Sequence, residues 1–104
     1  MNNIQKISLC VPKMDVTTNK KYILQTFSKL NVGYVDFIRE IPIHNDSSNK
    51  RIILNINLNM ENELAKYIYD TIMGDKTIKI VYNEPWYWIC TKFINNGNKN
   101  SMST

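Results

Sequence analysis

The 104-residue chain has one histidine and two cysteines. Cys10 and Cys90 lie far apart, and neither belongs to a Cys-x-x-Cys pair. His44 stands alone in a polar stretch. No ligand set with metal-binding spacing is present, so neither a metal nor another cofactor is expected. Glycine is equally sparse. Gly33, Gly74 and Gly97 are scattered, which leaves no glycine-rich phosphate loop. A paired-carboxylate motif and a nucleophile–base arrangement are also missing, and the chain is not expected to be an enzyme. No apolar run approaches the roughly 20 residues of a membrane span. Met1-Asn2-Asn3-Ile4-Gln5-Lys6 opens no apolar run of signal-peptide length. These absences together lead us to expect a soluble intracellular chain with no membrane partner and both thiols reduced and packed. The sequon at Asn45-Asp46-Ser47 is then a chance match.

What the chain does have is a regular pattern of apolar residues and a mild excess of cations. Hydrophobic residues make up 43%, and a formal charge of +4 is compatible with a polyanionic partner. The length suits one core. The clearest stretch is Lys50–Leu58. Ile52, Leu54, Ile56 and Leu58 fall on one side of an extended chain, with Arg51, Ile53, Asn55 and Asn57 on the other. That period of two marks a strand with one buried and one wet face. Ile7, Leu9 and Val11 alternate in the same way, which predicts a first strand over Ile4–Val11, ended by Pro12. Ile23, Phe27 and Leu30 recur at helical spacing, with Leu24 beside them, so a helix is expected over Asn19–Leu30 with Thr18 or Asn19 as N-cap.

Gly33 can supply a turn with positive φ. Tyr34–Ile41 reads as a second strand of ambiguous facing: Val35 and Phe37 share a face only if Ile38 takes a bulge or the opposite side. Ile43–Asn49 reads as a mobile polar loop. Asn59 is placed to cap a second helix carrying Leu64, Ala65, Ile68 and Ile72, with Gly74 as its stop. Thr77–Tyr82 is a short extended segment, Asn83-Glu84-Pro85 a turn, and Trp86–Phe93 an aromatic-rich strand. In one register Trp86, Trp88 and Cys90 enter the core while Tyr87, Ile89 and Thr91 face out; the opposite register stays open. Residues 1–94 are expected to form one domain, and residues 95–104 a disordered tail.

Strand, helix, strand, strand, helix, strand is the order of a ferredoxin-like βαββαβ sandwich. The expectation is therefore an α+β fold, with a four-stranded antiparallel sheet, two helices on one face and an extra short strand before the last. Within that plan the chain resembles the RNA-recognition motif (RRM). Phe27-Ser28-Lys29-Leu30 resembles the Phe-x-x-Phe/Leu segment of its first helix, and Asp15-Val16-Thr17 the segment that often precedes that helix. The stretch Lys79–Trp88, with Ile-Val-Tyr, an acidic turn and Pro-Trp-aromatic-Trp, is similar to small RRM-like proteins encoded by large nucleocytoplasmic DNA viruses. Such a protein would act in the host cytoplasm or in the virion.

The resemblance implies single-stranded RNA binding by stacking bases on the open sheet face. Matching the strands to the family's motifs puts Ser8, Arg51 and Ile53 at its aromatic positions, and none of the three is aromatic. What remains on that face is Lys6, Ser8, Arg51, Ile53 and Asn55, joined by Phe37 and Arg39 in one facing of the second strand. Tyr87, with Lys92 nearby, is the candidate stacking side chain. The expected interface is thus Lys6, Ser8, Arg39, Arg51, Ile53, Asn55, Tyr87 and Lys92. It would bind single-stranded RNA or another nucleic acid weakly and in a salt-dependent way. The alternative is a protein-interaction or virion-assembly module that keeps the fold without binding nucleic acid.

Overall fold

The computed structural model describes residues 3–93. The tail expected at 95–104 lies outside the described residues. The elements are β1 (Ile4–Asp15), α1 (Lys20–Leu30), β2 (Gly33–Ile43), β3 (Asp46–Asn59), α2 (Glu63–Met73), β4 (Ile78–Asn83) and β5 (Trp86–Lys92). Neither helix is long and apolar enough to cross a membrane.

The strands form one five-stranded antiparallel sheet in the order β2-β3-β1-β5-β4. This corrects the four-stranded ferredoxin-like sheet expected from the element order. The short segment before the last strand is a full member of the sheet and forms its outer edge. The cause is local. Only Glu84 and Pro85 separate β4 from β5, so the two strands close into a hairpin. Ile78 and Ile80 stand opposite Cys90 and Trp88, and all four are buried in the common core. β4 therefore hides its apolar side as the strand beyond β5, and β5 becomes an interior strand between β1 and β4.

The helices cover one face. Ile7, Leu9, Val11 and Met14 of β1 meet Ile52, Leu54, Ile56 and Leu58 of β3 there, beneath Ile23 and Phe27 of α1 and Ala65, Ile68 and Ile72 of α2. Leu64, expected in this core, is instead half-exposed on α2. On the same side Tyr82 stacks on Trp88 with ring centroids 4.6 Å apart, and Tyr22 meets both rings edge-on. Pro12 and Lys13 together oppose Arg51 at a β-bulge. The extra residue returns Met14 to the core and gives the proline, which lacks an N–H, a place in an interior strand.

Asn19 caps α1 by accepting from the Tyr22 N–H at 2.8 Å. The cap of α2 is Asn62, which accepts from the Ala65 N–H at 3.0 Å; Asn59 accepts from Glu61 one turn earlier. The polar stretch expected as a loop is a tight hairpin instead. Ile43 pairs with Asp46 across His44 and Asn45, and Asn45 adopts a left-handed φ of 67°. The Asp46 carboxylate accepts from the backbone and hydroxyl of Ser48 and from the Asn49 amide, so the polar residues stitch the start of β3. At that end of the sheet the ammonium of Lys50, buried on the helix side, donates to the Thr18 carbonyl and to Glu40, the latter at 2.9 Å.

Gly33 opens β2 with φ 148°, and a Cβ built there would sit 1.9 Å from the Asn57 carbonyl oxygen. Gly33→Ala is therefore expected to cost about 2 kcal/mol or more, since both the dihedral and the close approach resist a side chain. A denaturation midpoint equal to that of the unsubstituted chain would contradict this.

Candidate nucleic-acid interface

The face away from the helices carries no covering element among the described residues. Its side chains are fixed by strand register, because directly opposed residues share a face. In β2 the register contains an irregularity. Val35 opposes Ile56 and Phe37 opposes Asn55, so Asp36 is an extra residue. This bulge resolves the ambiguous facing of the second strand. Val35 and Ile38 both turn toward the core, and Phe37 and Arg39 turn to the open face.

Three strands and the residue that follows β5 then contribute one row across the face. Phe37 opposes Asn55, Asn55 opposes Ser8, and Phe93 follows β5 with its N–H bonded to the Ser8 carbonyl at 3.1 Å. Two phenylalanines thus flank a polar centre. There the Ser8 hydroxyl donates to Asn55 Oδ1 at 2.7 Å. With neighbouring strands about 4.8 Å apart, the two rings are about 14 Å from each other along the row. The next row on one side holds Tyr34, Asn57 and Lys6; on the other side it holds Arg39, Ile53, Cys10 and Thr91. Tyr34, 63% exposed, and Phe37, 46% exposed, offer ring surface to solvent.

The expected site residues divide on inspection. Lys6, Ser8, Arg39, Arg51, Ile53, Asn55 and Tyr87 all lie on this face. Lys92 does not: it stands opposite the core residue Leu9 and its ammonium pairs with Asp75 at 3.7 Å, just beyond α2. Ile53, expected to be exposed, is only 4% so, held in the middle of the sheet between Arg39 and Cys10. Tyr87 faces out as expected, but the Lys79 ammonium sits 4.8 Å from its ring centre. One side of that ring therefore already has a cation partner.

The charge on this face is mostly positive. Arg39, Arg51 and Lys79 have no ion-pair partner among the described residues. Lys6 is tied to Asp36 at 3.3 Å, and Asp36 also accepts from the Asn57 amide at 2.9 Å. The Asn57 hydrogen bond, with Lys6 beside it, holds the Asp36 carboxyl below the usual carboxylate range. Asp36 therefore stays anionic and offsets much of the Lys6 charge.

The two thiols are free and lie on adjacent strands, but on opposite faces. Cys10 is beneath the open face, and Cys90 is in the core. Burial raises both, pushing the Cys90 thiol up to about 12, which keeps it protonated and unreactive in the folded chain.

Compared with protein-family models, curated proteins and solved structures, the chain matches none. The reading of this face therefore rests on its own residues. Sequence reasoning weighed Phe37 without fixing its side, and missed Tyr34, Phe93 and Lys79. Phe93 was within reach, since continuing the alternation Tyr87, Ile89, Thr91 leads to it. Among the described residues no group of side chains is arranged to hold a metal ion.

Proposed function

We propose that the open sheet face binds single-stranded nucleic acid, with unpaired bases on its aromatic rings and phosphates on its cations. The observation that carries this reading is the composition of one face. Arg39, Arg51 and Lys79, without an ion-pair partner among the described residues, share this face with Phe37 and Phe93, and the Asp36 carboxylate there is already matched by Lys6. Rings lying on a sheet offer flat surfaces that stack with splayed bases and find no such partner in a closed duplex. The alternative, a face that docks a protein, is favoured by a large exposed apolar patch around Ile53 and the last strand. Ile53 is buried, while Val81, Tyr87 and Ile89 are exposed on the β4–β5 side of the face; the polyanion is preferred because Arg39, Arg51 and Lys79 interrupt that surface.

The test is a titration of the chain against single-stranded RNA, single-stranded DNA and duplex DNA at two salt concentrations. Binding to single strands should be weak and fall steeply with salt. Arg51→Ala should weaken binding to every sequence alike and reduce the salt slope by about one unit. Absence of binding at low salt would remove the proposal and return the face to a protein partner.

A further inference from the structure

We propose, resting on the single-strand reading above, that Ser8 and Asn55 make the centre of the face selective for bases that present a carbonyl oxygen. Uracil, thymine and guanine, which carry C=O at the pyrimidine 4- or purine 6-position, would be favoured there over cytosine and adenine, which carry an amino group at that position. The argument starts from a hydrogen bond between side chains. Ser8 Oγ donates to Asn55 Oδ1 at 2.7 Å. In this pairing the Nδ2 end of the amide is the one left open. An unconstrained asparagine presents an acceptor and donors together, and a rotation of its amide serves either kind of base. Here the acceptor is engaged, and Asn55 Nδ2 donates to no other group among the described residues. What the Asn55 amide turns to a ligand is its pair of N–H donors; the acceptors left at the centre are one lone pair of Oδ1 and those of Ser8 Oγ.

The surroundings make that polarity count. Asn55 and Ser8 lie in the row between Phe37 and Phe93, which places the donors between two stacking surfaces. A strand laid across the sheet with bases on both rings brings an intervening base edge over the amide. A base whose exposed edge bears C=O accepts from Nδ2. A base whose edge bears NH2 meets donor against donor at Nδ2 and is left with the remaining lone pairs of Oδ1 and Ser8 Oγ. Ser8 thus acts as a positioning residue. It sets the orientation of Asn55, which touches the base.

The experiment compares an eight-residue uridine oligomer with a cytidine oligomer of the same length, by fluorescence anisotropy at low salt. The two have equal charge and similar stacking area and differ at the pyrimidine 4-position and in whether N3 carries a hydrogen. The intact chain should bind the uridine oligomer about three- to tenfold more tightly, the range of one net hydrogen bond. Ser8→Ala frees Oδ1, lets the amide rotate, and should bring the two affinities together without greatly changing their mean. Asn55→Asp presents acceptors alone and should shift the preference toward cytidine at lower overall affinity. Equal binding of the two oligomers by the intact chain overturns the inference and leaves single-strand binding standing. So does a uridine preference that survives in Ser8→Ala. Failure to bind either oligomer overturns the single-strand reading and this inference with it.

Discussion

Leu54→Ala is expected to lower the unfolding free energy by about 2–5 kcal/mol, the range for removing a buried leucine and leaving a cavity. Leu54 is fully buried in β3, between Leu9 of β1 and Ile38 of β2, with both helices on the same side of the sheet. Paired strands on either side, β2 at the sheet edge and β1 in its interior, leave little room for the backbone to close over the lost volume. Chemical denaturation should show the midpoint moving with an unchanged slope. Ile89→Ala, on the opposite face and half-exposed, serves as the control and should change stability far less. Equal losses for the two would mean that the apolar alternation of β3 does not mark the core.

The second large effect is on binding. Phe37→Ala combined with Phe93→Ala is expected to weaken single-strand affinity by about 2 kcal/mol or more, roughly thirtyfold, since each base stack contributes on the order of 1–3 kcal/mol. No charge is removed, so the salt slope should stay as it was. That separates these rings from Arg51, whose loss acts on the slope. Tyr87→Ala should have a smaller effect, because Lys79 already occupies one side of that ring. If the double variant binds as well as the intact chain, the phenylalanine row is not where bases rest.

The parts of this structure that could be read from the sequence are those where one period holds without interruption. β3 alternates cleanly from Lys50 to Leu58, and its buried side is the one the pattern marks. Ile7, Leu9 and Val11 of β1, Ile23 and Phe27 of α1 and Ala65, Ile68 and Ile72 of α2 follow for the same reason, while Leu64 of the expected α2 stripe is half-exposed. Where a strand changes phase, the pattern fails. At Asp36 one extra residue turns Phe37 and Arg39 outward, and only the pairing with Asn55 shows it. The β2–β3 turn was hidden by composition: Asn45-Asp46-Ser47-Ser48-Asn49 looks like a loop, yet Asp46 uses these polar groups to order a strand. Sheet order was hidden as well. Ile78 and Ile80 signal a strand, but that it lies outside β5 is settled by the short connection and by Cys90 and Trp88 across from it. Lys92 follows Thr91 by one residue, and that single step puts it on the other side of the sheet, against Asp75.

The extra residue at Asp36 gives β2 something like a reading frame. Upstream and downstream of it, the same strand is decoded in opposite phases. Asp36 is the slack in that frame. Without it, Val35 opposite Ile56 and Phe37 opposite Asn55 would become consecutive pairs, and Phe37 to Ile41 would keep the facings they have. Loss of this one residue would smooth the strand and remove the partner of Lys6, and it would turn no other side chain over.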